Sequence, residues 1–94
     1  MSFYSTKELV ELGFAEVGQN VFISRKASFY GIERISIGNN VRIDDFCVLS
    51  AGEGGINIGN YIHITVYNSI FVKTRSQALL SYEYELLKFR ENEK

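Results

Sequence analysis

The sequence predicts an all-β solenoid of short strands, and two periodicities indicate it. A Val/Ile-Gly phrase occurs three times, at residues 17–21 (Val-Gly-Gln-Asn-Val), 37–41 (Ile-Gly-Asn-Asn-Val) and 58–62 (Ile-Gly-Asn-Tyr-Ile), with spacings of 20 and 21 residues. Between these phrases an aliphatic or aromatic residue recurs at every sixth position. A period of six residues fits neither a helix, whose apolar residues recur every three or four positions, nor a strand in which apolar and polar residues simply alternate. It indicates a short strand followed by a corner.

The hexads also predict where the core lies. The residue that opens each hexad should point into the coil and stack on its counterpart one coil along. The predicted columns include Val17/Ile37/Ile58 and Ile23/Ile43/Ile64. A second inward site, two positions earlier, should hold small or β-branched side chains. Its occupants are Val21, Ala27, Val41, Cys47, Ile62 and Asn68. Three hexads account for about eighteen residues, so the surplus of each coil is placed in residues 30–34 and 51–55.

The segment before the first coil is predicted to be a short helix. Residues 5–8 (Ser-Thr-Lys-Glu) have the spacing of a capping box, and Gly13 suits a helix stop. The apolar stripe between them consists of Leu9, Val10 and Leu12. Because the terminal face of a solenoid needs a cover, we expect this helix to lie over the first coil.

The hexad pattern ends at about Phe71, which divides the chain into residues 1–71 and a non-repeat tail of residues 72–94. Helix propensity in the tail is compatible with an amphipathic helix from about Gln77 to Arg90. A strand is the alternative, since apolar and acidic residues alternate over residues 82–86. By this count the repeat forms fewer than three coils.

Residues 17–24 (VGQNVFIS) and 35–50 (ISIGNNVRIDDFCVLS), after a helix-like opening, resemble the hexapeptide-repeat acyltransferases. Within that family the chain is most similar to the sugar O-acetyltransferases of the galactoside, maltose and surface-polysaccharide type. The resemblance covers residues 2 to about 71. It implies a left-handed parallel β-helix of triangular cross-section. Because the family continues with further coils, we expect this chain to be a truncated or frame-shifted member.

The resemblance also implies a function. Such enzymes transfer an acetyl group from acetyl-CoA to a hydroxyl of a sugar or polysaccharide precursor, and they act as homotrimers with a histidine as general base. In the galactoside and maltose branch this base would lie near Arg75, and arginine cannot be deprotonated in a protein. In the polysaccharide branch it would lie about one coil further on. We therefore expect little or no activity from this chain. The alternative is a non-catalytic assembly module that pairs through its last coil.

Few residues qualify as a candidate site. His63 is the single histidine, and it immediately precedes an inward position, so it should point outward. This pattern favours a surface or subunit-interface histidine over a catalytic base. Asp44 and Asp45, with Arg42 nearby, could hydrogen-bond an acceptor sugar, although a solvated corner is the favoured interpretation. Cys47 is predicted to be a core residue and not a nucleophile.

Composition narrows the remaining classes of function. A net charge of −1 over 94 residues argues against a nucleic-acid partner. The sequence has no apolar run long enough for a membrane span, and its single cysteine fits a reducing compartment. We therefore expect a cytoplasmic protein. One histidine and one cysteine do not make a metal site of the usual kind.

Overall fold

The structure is a computed structural model that describes residues 2–72 and 77–80. In these residues a short helix precedes ten short strands and one 3-10 turn. The elements are α1 (Thr6–Glu11), β1 (Glu16–Val17), β2 (Val21–Ile23), β3 (Ser28–Tyr30), the 3-10 turn (Ile32–Arg34), β4 (Ile35–Ile37), β5 (Val41–Ile43), β6 (Val48–Ser50), β7 (Ile56–Ile58), β8 (His63–Ile64), β9 (Ser69–Phe71) and β10 (Ala78–Leu80).

Successive strands are distributed in rotation over three parallel sheets, which is the arrangement of a β-helix. The strand orders are β1-β4-β7-β10, β2-β5-β8 and β3-β6-β9. The register places Val17 beside Ile37 and Ile37 beside Ile58, and it aligns Ile23, Ile43 and Ile64 in the same way. The predicted inward columns are therefore confirmed. Strands β1 to β9 complete three coils and β10 begins a fourth, so the count of fewer than three coils was too low.

The second inward site follows the prediction except at its last position. Val41, Cys47 and Ile62 are buried in the core, and Val21 and Ala27 pack against it partly buried. Asn68 is exposed, and its amide nitrogen donates to the carbonyl and hydroxyl oxygens of Thr65. A polar amide can satisfy its hydrogen bonds at the corner more easily than in an aliphatic core, which accounts for this departure.

The surplus residues of each coil lie where the spacing predicts. Residues 32–34 form the 3-10 turn, and a turn at Gly52–Gly55 is closed by a hydrogen bond from Gly55 N–H to the Gly52 carbonyl. The Arg34 guanidinium joins the two insertions, since it donates to the carbonyl oxygens of Gly52 and Ala51 at 2.9 and 3.1 Å. The insertions of successive coils thus hold each other in place.

The N-terminal helix begins with the predicted capping box. The Ser5 hydroxyl accepts from Glu8 N–H, and the Glu8 carboxylate accepts from Ser5 N–H. The hydrogen bond from Arg25, followed by that from the Ser5 backbone, lowers the pKa of Glu8 to about 2. Leu9 is buried in the core, but Val10 is 73% exposed, so the predicted apolar stripe was wrong at Val10. One turn and a half of helix presents only a narrow face to the coil below.

The tail contains a strand within the range where a helix was considered. Ala78, Leu79 and Leu80 pair in parallel with Ile56, Asn57 and Ile58 of β7. Leu80 is 3% exposed beside Ile58, and its carbonyl accepts from Gly59 N–H. Burial of one leucine and completion of the ladder outweigh helix propensity here. The rest of the considered helix, and the alternation over residues 82–86, lie outside the described residues.

Replacing Leu80 by alanine should lower the free energy of unfolding by about 2 kcal/mol, because the change leaves a cavity above Ile58. The matched control is Leu79→Ala in the same strand, where the side chain is 50% exposed. We expect a change of about 0.5 kcal/mol or less for the control. Urea unfolding followed by circular dichroism measures both. Equal effects of the two substitutions would contradict the placement of β10.

Candidate functional site

The outward face of the β2-β5-β8 sheet carries a row of unusual side chains. Phe22, Arg42 and His63 occupy matching register positions on the three strands. Phe3 lies over this row, edge to face with Phe22 at a ring-centroid distance of 5.7 Å. The Arg42 guanidinium lies 5.3 Å from the Phe3 ring centroid. Because outward residues alternate with buried Val41, Ile43 and Ile64, the hexad alone directs this row to the surface.

Asp44 connects two members of this row. It directly follows β5, and its backbone N–H donates to the Ile64 carbonyl at 2.9 Å. Its carboxylate accepts from Arg42 Nε at 2.7 Å through Oδ1 and pairs with His63 Nε2 at 2.8 Å through Oδ2. The Asp44 side chain is 8% exposed, whereas that of His63 is 50% exposed. The result is a buried carboxylate that orients a half-exposed imidazole.

The electrostatics of this trio determine the histidine tautomer. Burial opposes ionisation of Asp44, but the hydrogen bonds from Arg42 and His63 outweigh it and lower the pKa of the Asp44 carboxyl from its ordinary value. Asp44 is therefore a carboxylate at neutral pH, and a carboxylate can only accept hydrogen bonds. The proton of a neutral His63 must then lie on Nε2. This leaves a lone pair on Nδ1, the nitrogen that does not face Asp44.

The sequence proposed Asp44 and Asp45 as contacts for a sugar. Both carboxylates are engaged within the protein. Asp44 binds Arg42 and His63, and Asp45 accepts a hydrogen bond from the hydroxyl of Ser24. Asp44 lies at the corner after β5 but is buried, so the interpretation as a solvated corner does not hold for this residue. A catalytic histidine requires a neighbour that orients its ring. Asp44 is such a neighbour for His63, and the sequence did not reveal this contact.

Cys47 is the core residue that the sequence predicts. Its side chain is fully buried, and its sulfur lies 3.0 Å from the Thr65 carbonyl oxygen. Burial raises the pKa of the Cys47 thiol. Such a thiol does not form the thiolate that nucleophilic chemistry needs.

A second arrangement at the same corner was missed by the sequence analysis. Lys26, Phe46 and Tyr67 occupy equivalent corner positions in the three coils, 20 and 21 residues apart. The Phe46 and Tyr67 rings are stacked with centroids 5.2 Å apart and an interplanar angle of 12°. The Lys26 ammonium lies 5.4 Å from the Phe46 centroid. We call these three residues the aromatic column. These three residues are spaced by the length of one coil, and this spacing is the sequence signal that could have predicted the column.

The described residues contain no group of three or more histidine, cysteine or acidic side chains that could hold a metal ion. None of the helices among residues 2–72 and 77–80 is long and apolar enough to cross a membrane.

The chain is similar to known sugar acyltransferases, although no family model matches it. It is 66% identical over 73 residues to a dTDP-4-amino-4,6-dideoxy-D-glucose acyltransferase of Escherichia coli, a match that covers 78% of this chain and 38% of the relative.

Solved structures agree with this relationship. AntD, an N-acyltransferase from Bacillus cereus in complex with dTDP and 3-hydroxybutyryl-CoA, matches with a TM-score of 0.70 and 56% identity over 74% of this chain and 36% of AntD. A cysteine-for-serine variant of AntD, in complex with dTDP-4-amino-4,6-dideoxyglucose and coenzyme A, matches with a TM-score of 0.68 and 57% identity over 72% of this chain and 35% of that chain.

The chain therefore spans little more than a third of the length of these relatives. Over the matched part, more than half of the aligned residues are identical to those of the relatives. The chain belongs to the hexapeptide-repeat acyltransferases of the left-handed β-helix fold.

Proposed function

We propose that this protein takes part in the transfer of an acyl group from a coenzyme A thioester to the amino group of a nucleotide-linked amino sugar. The observation that carries the proposal is the 66% identity over 73 residues to a relative named for this acceptor. The relatives are N-acyltransferases, so the proposed acceptor is an amine in place of the sugar hydroxyl expected from the sequence. The donor is an acyl-CoA, of which acetyl-CoA is one example.

The reaction needs one proton to be moved. The amine nitrogen attacks the thioester carbon, a carbon–nitrogen bond forms, and the carbon–sulfur bond breaks when the tetrahedral intermediate collapses. The proton lost by nitrogen is transferred to the departing thiolate, so that the products are an amide and free coenzyme A. A base beside the amine assists the attack and returns the proton to sulfur.

His63 is our candidate for this base. Its Nδ1 carries the lone pair that can accept the proton, because Nε2 donates to Asp44. Its half-exposed position allows a substrate to approach. A buried carboxylate that orients an imidazole and stabilises its protonated form is the arrangement used by histidine bases in acyl transfer.

Asp44 and Arg42 are then positioning residues. Asp44 fixes the direction of the His63 ring, and Arg42 holds Asp44 through its other oxygen. In the proposal Asp44 acts through His63 and does not contact the sugar. Asp45 has a separate role, which is to tie the second coil to Ser24 of the first.

We propose in addition that the protein is a cytoplasmic homotrimer. The family resemblance supports the trimer, since resembling enzymes place their active sites between neighbouring β-helices. The half-exposed His63, on the outer face of a sheet, is compatible with a site that a second subunit completes.

The first test of the function is turnover. The protein is mixed with dTDP-4-amino-4,6-dideoxyglucose and either acetyl-CoA or 3-hydroxybutyryl-CoA, and thiol release is followed together with mass spectrometry of the sugar. We expect an N-acylated product, and none from the corresponding 4-hydroxy sugar. If no product forms and size-exclusion chromatography gives a concentration-dependent oligomer, the non-catalytic assembly module replaces this proposal.

His63→Gln should lower kcat by about 10² to 10⁴-fold, because glutamine keeps a polar side chain but cannot take up a proton. The matched control is Asn57→Gln, which places the same side chain at the exposed outward position of β7 in the same coil. We expect the control to retain wild-type turnover. A kcat for His63→Gln within a few-fold of the control would remove His63 as the base.

The tautomer is a further prediction. Nitrogen-15 NMR of the imidazole at neutral pH should place the proton of neutral His63 on Nε2, because Asp44 is ionised and accepts from that nitrogen. Asp44→Asn should weaken this preference, since an amide can turn either its oxygen or its NH₂ group towards the ring. A wild-type spectrum with the proton on Nδ1 would contradict the proposed role of the pair.

A further inference from the structure

Residues 2–4, which we call the strap, lie along the first-coil edge of the β2-β5-β8 sheet. The strap is bridged in antiparallel fashion to the residue that follows β2. Tyr4 N–H donates to the Ile23 carbonyl at 3.0 Å. Arg25 N–H donates to the Ser2 carbonyl at 2.9 Å. The backbone of the strap is therefore fixed beside the outward row of this sheet.

The two aromatic residues of the strap each hold one arginine. The guanidinium carbon of Arg42 lies 5.3 Å from the Phe3 ring centroid, and that of Arg25 lies 5.0 Å from the Tyr4 ring centroid. Neighbouring side chains of a β segment point to opposite sides, so the two contacts serve different parts of the molecule. Arg25 binds the Glu8 carboxylate of α1 at 2.8 Å. Tyr4 therefore serves the helix, whereas Phe3 serves the sheet.

The Phe3 contact restricts a side chain that would otherwise have many rotamers. Arg42 is 48% exposed, and its guanidinium lies over the Phe3 ring while its Nε donates to Asp44 Oδ1 at 2.7 Å. The Phe3 ring is itself held edge to face against Phe22. The other carboxylate oxygen of Asp44 pairs with His63 Nε2 at 2.8 Å. The direction of the carboxylate, and with it that of the imidazole, therefore depends on where Arg42 is held.

We propose that Phe3 is a positioning residue for His63, acting through Arg42 and Asp44. The inference rests on the proposed function, since it gives the strap a part in orienting the proposed base. The strap is attached to the first coil and His63 lies in the third, so the contact with Arg42 of the second coil connects them. A cation held over an aromatic ring and bound to a buried carboxylate moves little.

The test uses the two neighbouring aromatic residues of the strap as a matched pair. Phe3→Leu keeps an apolar side chain against Phe22 but offers no ring face to Arg42. Tyr4→Leu removes the corresponding contact with the other arginine, one residue further along. Phe3→Tyr restores the ring. In the full chain, kcat and KM are measured with dTDP-4-amino-4,6-dideoxyglucose and acetyl-CoA, and NMR follows the exchange of the Arg42 Nε–H with water and the His63 tautomer.

We expect Phe3→Leu to lower kcat about five-fold with KM changed by less than about two-fold, because the variant disturbs the orientation of the base and not the binding of substrate. Exchange of the Arg42 Nε–H with water should become about five-fold faster. The share of neutral His63 with its proton on Nε2 should fall. Tyr4→Leu and Phe3→Tyr should retain the wild-type values of all these quantities.

Wild-type kcat, Nε–H exchange and tautomer in Phe3→Leu would overturn the proposal. Equal losses in Phe3→Leu and Tyr4→Leu would also overturn it, because they would indicate a general loosening of the strap. If Phe3→Leu does not fold, the wild-type protein decides, since an Arg42 Nε–H that exchanges as fast as that of free arginine contradicts the clamp. If the wild type has no turnover, the proposed function fails, and the NMR measurements still support or overturn the role of Phe3.

Discussion

Every feature of this molecule depends on the in-register stacking of one coil on the next. Backbone hydrogen bonds join strands that are 20 or 21 residues apart, and each buried aliphatic residue needs a partner one coil along. The stacking also limits the corners. Asn39 and Asn60 each accept, through Oδ1, the backbone N–H of a residue in the coil before, at 2.8 and 2.7 Å. A Cβ at residue 38 would lie 2.6 Å from the Asn60 Oδ1 atom, so the close stacking of these asparagines requires glycine at this position.

The same register that builds the core also builds the surface. Because the coils are aligned, Arg42 stands beside His63, and Asp44 can reach both at the following corner. The alignment likewise brings the Phe46 and Tyr67 rings together. Neither arrangement needs a loop that leaves the helix. The solenoid therefore offers rigid strand and corner positions for a site, and rigid supports hold catalytic groups more accurately than loops do.

Much of the fold followed from the sequence, because inward positions obey a strict period. Local spacing in the sequence predicts the column that contains Ile23 and Ile43, and it predicts the capping box at Ser5. Few other structures are compatible with either spacing. The candidate site did not follow in the same way. The hexad pattern predicts that His63 points outward. Whether the Asp44 side chain reaches His63 depends on the backbone direction at the corner and on the Asp44 rotamer, and neither can be read from the period of the sequence. Strand β10 was missed because Ala78–Leu80 pairs by register without repeating the phrase.

The N-terminal segment helps to hold His63 in position through a chain of contacts. Phe3 bridges to Ser24 in antiparallel fashion, and Arg25 N–H donates to the Ser2 carbonyl, so the segment is attached to the second strand. Phe3 in turn lies against the Arg42 guanidinium, which holds Asp44. Arg42 can rotate little when it is packed on a ring and bound to a buried carboxylate.

A pH argument connects this support to the site. The pKa of Asp44 is lowered in the folded protein, so its contribution to stability is complete above the ordinary pKa of an aspartate, about 3.9, and is lost as the pH falls through the folded value. The orientation of the imidazole depends on the same ionisation. Near neutral pH the carboxylate is therefore fully charged, and the force that stabilises this corner is also the force that directs His63 Nδ1 outward.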